Sequence, residues 1–229
     1  MGALRFSMAQ FLVALVMLLV TEPFVEQMER GRGVESVLIT LVLLSAVPAI
    51  GGSRRMLIWG IILVTPAVTL RWLHHAIPDQ IPLQYPIGFA LVFELFVVMN
   101  LLRFILRAPR VTTEVLYAGI ATYLMLGLIW SFAYVLVNRV VPNSFSFTPG
   151  SPASQSMTGF NGVYFSFVTL STVGYGDIVP VSSPARLLAV VEATVGMIYI
   201  TVLLARLVAL YSSAQPNEEK EKDDESKTV

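Results

Sequence analysis

The sequence predicts an all-α membrane protein: six transmembrane helices, with a short re-entrant helix and an extended strand between the fifth and the sixth. Three observations predict it. Residues of the AVILMFWYC set make up 55% of the 229 positions and charged residues only 13%, against roughly a quarter charged in ordinary globular domains. Nine of the 30 charges fall in the last twelve residues, so the first 217 hold too few polar groups to cover a water-facing surface, and lipid must be most of their solvent. The apolar residues also gather into six separate runs.

Those runs lie at about residues 6–20, 34–50, 56–73, 87–106, 115–137 and 185–210. A spanning helix needs roughly 20 residues at 1.5 Å each, which the last four supply. The first two are short and must recruit flanking residues or sit in a thinned bilayer. Arg5 ahead of the first run also fits a secretory signal, but Thr21, Glu22, Pro23 and Phe24 follow it instead of a small-x-small cleavage site. Removing that run would leave five spans in the same orientation.

Six spans place both termini on one side. With that side cytoplasmic, the inner segments hold Arg5, Arg54, Arg55, Arg103, Arg107, Arg110 and Arg206. The outer ones hold Arg30, Arg32, Arg71 and Arg139, together with Glu22, Glu26 and Glu29. The bias has the sign that positive-inside topology requires. Residues 138–159, rich in Ser and Pro, read as an exposed loop. Residues 213–229 end in a run of charges without an apolar stripe and read as a disordered, solvated cytoplasmic tail.

Composition also excludes function classes. A formal charge of zero gives no reason to expect a nucleic-acid partner. The absence of cysteine removes disulfides and thiolate chemistry, and His74 and His75 are the only imidazoles. No Ser/His/Asp or metal constellation supports an enzyme, and no cofactor is expected.

The chemistry is concentrated in GFNGVYFSFVTLSTVGYGDIVPVSSPAR, Gly159 to Arg186. Its first part is apolar and aromatic for only about ten residues, too short to cross a bilayer and long enough for a half-helix. Thr172, Val173, Gly174, Tyr175, Gly176 and Asp177 follow. Backbone of this kind at membrane depth would strand its carbonyls unless they line a polar conduit. Glycines at 174 and 176 can take φ > 0, which lets successive carbonyls face one side while Val173 and Tyr175 point away into a wall.

The run TVGYG, preceded by a half-helix and followed by Asp-x-x-Pro from Asp177 to Pro180, resembles the selectivity filter of potassium channels. The final span, ARLLAVVEATVGMIYITVLLARLVALY, resembles the inner helix of that family. The likeness is tight from Gly159 to Leu210 and only topological before it. It implies that carbonyls of Thr172, Val173, Gly174 and Tyr175, with the Thr172 hydroxyl, replace the hydration shell of K⁺, the transported ion. One chain supplies one strand, so a ring of oxygens implies a homotetramer. The half-helix end near Leu170 and Ser171 would aim its negative dipole at the cavity. Gly196 stands where many such inner helices bend, and close packing against a neighbour explains it equally well. Met197, Ile200 and Leu204 share one helical face and would line an apolar cavity.

The chain also departs from the family. Some bacterial relatives pair a pore-helix glutamate with the filter aspartate; Val168 stands at that place, leaving Tyr164 to hydrogen-bond Asp177. Glu192 lies inside the sixth span, where an ionisable group is expensive and functional by default. A buried hydrogen bond to Ser166 or Thr169 is the favoured reading, ahead of inert packing or a pore-facing charge. Glu94, in the fourth span, could meet Arg71.

Residues 1–110 thus resemble a voltage-sensor-like domain without its arginine repeat, and residues 111–212 a pore domain. A sensing helix carries an arginine every third residue, each charge supplying about 2.3 kcal/mol per 100 mV. Arg103, Arg107 and Arg110 share a face but sit at the cytoplasmic end, as anchoring explains. The expected function is passive, K⁺-selective conduction across the cell membrane with little voltage dependence. The alternatives are a regulatory or scaffold subunit of a channel assembly, or a weakly voltage-dependent potassium channel.

Overall fold

The computed structural model describes residues 2–25, 28, 31–49, 54–148 and 156–226. Among them are seven helices, α1 (Gly2–Val25), α2 (Gly31–Ala49), α3 (Arg54–Ala76), α4 (Gln84–Arg107), α5 (Thr113–Val140), α6 (Phe160–Leu170) and α7 (Ser183–Ser226). Strands β1 (Phe145–Phe147) and β2 (Ile178–Pro180) pair antiparallel, with Ser146 opposite Val179. Glu26, Glu29 and Arg30, and part of the loop before α6, lie outside the described residues.

Five helices are long and apolar enough to cross a membrane: α1, α3, α4, α5 and, over Ser183–Ser212, α7. The second expected span falls short of that length, because the apolar part of α2 covers only Gly33–Ala49. Helices α1 to α4 pack in sequence against one another, and α1 and α4 both lie on α5. Phe11, Leu15, Leu43, Phe93, Val97 and Ala118 meet in the core between them with almost no exposed surface. The exposed faces of the same helices carry Val13, Trp59, Ile61, Val92 and Leu95, apolar residues that only a lipid-like solvent leaves without penalty.

Two sequence expectations need correction. The stretch before α6 is not simply an exposed loop: α5 runs on to Val140, β1 pairs with β2, and Ser144 and Phe145 are buried. A three-residue strand is too short for an alternating pattern to announce, and its order comes from pairing with residues more than thirty positions away. The charged tail, expected to be disordered, continues α7 to Ser226. Glu and Lys are good helix formers, and Glu218 and Lys222 stand four positions apart in the sequence, a spacing that favours helix.

Charges placed in the four leading helices also find partners other than those expected. Arg71 donates to Glu35 Oε1 at 2.9 Å, tying α3 to α2. Glu94 is 2% exposed and its Oε2 has no hydrogen-bond partner among the described residues, so the direct Glu94–Arg71 contact suggested by sequence does not form. Arg103, Arg107 and Arg110 are exposed rather than turned into the helix bundle. Arg206 of α7 donates to the carbonyls of Leu106 and Ala108 at 3.2 and 2.9 Å, placing a cation on the C-terminus of α4, where the helix dipole favours one.

The core assignment makes a direct prediction. Phe93→Ala should lower stability by about 3–5 kcal/mol, since it removes a ring from a site that cannot collapse. Leu95→Ala, on the exposed face next to it, should stay within about 0.5 kcal/mol. Unfolding midpoints of the two variants in the same detergent check the contrast.

Candidate functional site

The 11 residues of α6 rise only about 16 Å, roughly half a bilayer core. The helix is wedged between α5 and α7, and small residues make room for it. A Cβ on Gly127 of α5 would lie 2.4 Å from the Phe167 ring, and one on Gly196 of α7 would lie 2.3 Å from the Leu170 carbonyl oxygen. Gly196 is therefore a site of close approach to the end of α6, as the packing reading requires. On the other side Tyr134, Phe145 and Phe165 form a cluster of edge-to-face rings with centroids 4.8 to 5.6 Å apart.

Beyond Leu170 the chain leaves the helix but remains fastened to it. Ser171 N–H donates to Phe167 O, Thr172 N–H to Thr169 O, and both Val173 and Gly174 N–H to Val168 O, at 2.9 to 3.3 Å. These bonds satisfy helix-end carbonyls that would otherwise be stranded. The Ser171 hydroxyl adds a bond of 2.6 Å to Phe167 O. Thr172, Gly174 and Gly176 have φ of 60°, 57° and 80°, whereas Val173 and Tyr175 between them do not have positive φ. The two glycines match the sequence expectation. Thr172 was not anticipated: a β-branched residue in the left-handed region is strained, and the surrounding bonds have to hold it there.

All residues from Ser171 to Gly176 are exposed in the single chain. Val173 is 53% and Tyr175 71% exposed, so this chain alone provides no wall for them. Tyr175 stacks on Tyr164 with ring planes 8° apart. Tyr164 donates its hydroxyl to Asp177 Oδ2 at 2.7 Å, the bond expected in place of a carboxyl pair. The Asp177 carbonyl in turn accepts from Thr148 N–H at 2.9 Å, linking the strand exit to the segment before α6.

Glu192 is fully buried and meets Ser166, one of the two partners expected: Oε1 and Ser166 Oγ are 2.5 Å apart. Tyr134 donates to its other oxygen, a partner that sequence reading missed. Nothing in the spacing of residues 134 and 192 signals the contact. Met197, Ile200 and Leu204 form an exposed stripe on α7, while Ala185, Glu192, Gly196, Tyr199 and Leu210 form its buried seam. A cavity of about 670 Å³ lies elsewhere, with Glu22, Glu35, Arg71, His74 and His75 of the leading helices and Arg139 of α5 among its lining.

Residues 111–213 match a family model described as an ion channel. A stretch of 54 residues, 24% of this chain, is 48% identical to Two-pore potassium channel 4 of Arabidopsis thaliana, of which it covers 19%. Another of 63 residues, 28% of the chain, is 36% identical to Potassium channel subfamily T member 1 of Gallus gallus, of which it covers 5%. Residues from α5 onward resemble an ion channel. The chain spans a fifth or less of the length of these relatives, and the family-model match does not extend into α1 to α4. No solved structure matches.

The seating of α6 predicts a contrast between two glycines. Gly196→Ala drives a methyl group into a carbonyl and should cost about 1–3 kcal/mol. Gly88→Ala, in a helix with open space at the Cβ position, should instead stabilise by about 0.5–1 kcal/mol. Thermal midpoints of the purified variants measure both.

Proposed function

We propose that the protein is a homotetrameric, potassium-selective channel of the cell membrane, passing K⁺ down its electrochemical gradient with little dependence on voltage. The observation that carries this reading is the alternation of φ from Thr172 to Gly176. Alternating left- and right-handed residues turn successive peptide planes so that their carbonyls face one side. Four such strands around an axis give stacked rings of oxygens from Thr172, Val173, Gly174 and Tyr175, which replace the water around a dehydrated ion. K⁺ is the cargo, and no bond is made or broken.

The exposed side chains fit the same assembly. Val173 and Tyr175 need a wall, and neighbouring copies are its source. The stripe of Met197, Ile200 and Leu204 then lines an apolar cavity that can close by dewetting. In this assembly α6 is re-entrant, with its carboxyl end near Leu170 and Ser171 aimed at the cavity, and Tyr164 and Asp177 brace the strand from behind. Helix α2 completes six spans in a locally thinned bilayer, with both termini cytoplasmic. Arg103, Arg107 and Arg110, exposed at the cytoplasmic end of α4, anchor to headgroups and carry no gating charge across the field.

Reconstituted in liposomes, the protein should dissipate a K⁺ gradient far faster than a Na⁺ gradient; equal rates would refute selectivity. Gly174→Ala forces a side chain onto a backbone at φ 57° and should abolish flux while leaving the oligomer intact. Undiminished flux in that variant would show that the ions pass elsewhere.

A further inference from the structure

Counting protons around Ser166 gives a result that conduction through the 172–176 strand does not require. Ser166 Oγ lies 2.7 Å from the Gly127 carbonyl oxygen and 2.5 Å from Glu192 Oε1. Both separations are hydrogen-bond lengths between oxygens, and each needs a proton between its atoms. A serine hydroxyl has one proton, and the Gly127 carbonyl can only accept. The Tyr134 hydroxyl is directed at Glu192 Oε2 and supplies nothing to Oε1. With Glu192 as a carboxylate, one of the two contacts would set bare oxygens against each other in a buried site.

A single proton on Oε1 resolves the count. Glu192 then donates to Ser166, Ser166 donates to Gly127 O, and Tyr134 donates to Oε2, so every contact holds one proton. The charges around the group agree. The titratable side chains facing Glu192 are Tyr134 and Tyr123, both on α5; from α6 it meets the Ser166 hydroxyl. The Arg71–Glu35 ion pair lies in the leading helices. All the atoms belong to one chain, so the count does not depend on assembly.

We infer that Glu192 holds its proton at neutral pH and acts as a neutral hydrogen-bond donor that fixes the pore helix between α5 and α7. Its functional consequence rests on the channel reading above. Ser166 stands one turn before Leu170, and the Val168 carbonyl between them receives the N–H groups of Val173 and Gly174. Whatever holds Ser166 therefore sets the depth of the strand beyond it. Glu192 is on this account a positioning residue; it touches no ion.

Glu192→Gln and Glu192→Asp separate the possibilities. The glutamine amide reproduces the protonated acid, with a donor for Ser166 and an acceptor for Tyr134. K⁺ flux of Glu192→Gln in liposomes should stay within about twofold of wild type. The aspartate variant keeps the acid but is one methylene too short, and its flux should fall at least tenfold. The infrared difference spectrum of wild type minus Glu192→Gln at pH 7 should contain the carbonyl stretch of a protonated carboxyl. Carboxylate bands in that spectrum would overturn the inference, as would a glutamine variant as impaired as the aspartate one while wild type conducts. If wild type does not conduct, the channel reading fails, and the infrared band still decides the state of Glu192.

Discussion

A backbone outside helix or closed sheet can lie at membrane depth only where protein surrounds it or a polar conduit meets its carbonyls. On the proposed reading the segment from Ser171 to Gly176 is such a backbone, and α5, α6 and α7 are arranged around its needs. The N–H groups of Ser171 to Gly174 are returned to the end of α6 through Phe167, Val168 and Thr169. The Asp177 side chain is tied to Tyr164 and the Asp177 carbonyl to Thr148. Among the described residues no backbone N–H is directed at the carbonyls of Thr172 to Tyr175, and the Val173 and Tyr175 side chains are exposed. Those are the groups for which the proposed ring of identical strands, and the ions within it, would provide partners.

The position of α6 follows from steric exclusion as much as from attraction. Gly127 and Gly196 allow α5 and α7 to approach until the Phe167 ring and the Leu170 carbonyl occupy the space a side chain would fill. A dense interior of this kind transmits displacement with little loss. Glu192, Tyr134 and Ser166 add directional bonds at the centre of the same three-helix contact. Tyr199, whose hydroxyl donates to Gly119 O at 2.6 Å, repeats the α5–α7 link about two turns further along α7. The opposite faces of α7 remain apolar and unburied, available to lipid and to other copies.

Much of this was legible in the sequence, for identifiable reasons. Apolar runs fix the helices because a bilayer tolerates little else, and a half-length run before two spaced glycines marks the strand. The buried bond of Glu192 to Ser166 was also accessible, because an acid in an apolar span has few ways to be satisfied; that of Tyr164 to Asp177 followed from the family resemblance. What escaped depends on tertiary distance. Tyr134 reaches Glu192 across 58 positions, and β1 meets β2 across more than thirty. The positive φ of Thr172 is imposed by bonds on both sides of it and has no local signal. Gly127 reads as an ordinary helix glycine until the Phe167 ring is seen against it.

The most direct test of the account is a single-particle reconstruction of the purified protein in potassium. It should show four subunits around one axis, with a column of separate densities running between the Thr172 and Tyr175 carbonyls. A monomeric particle, or a fourfold axis along which those carbonyls enclose nothing, would contradict it.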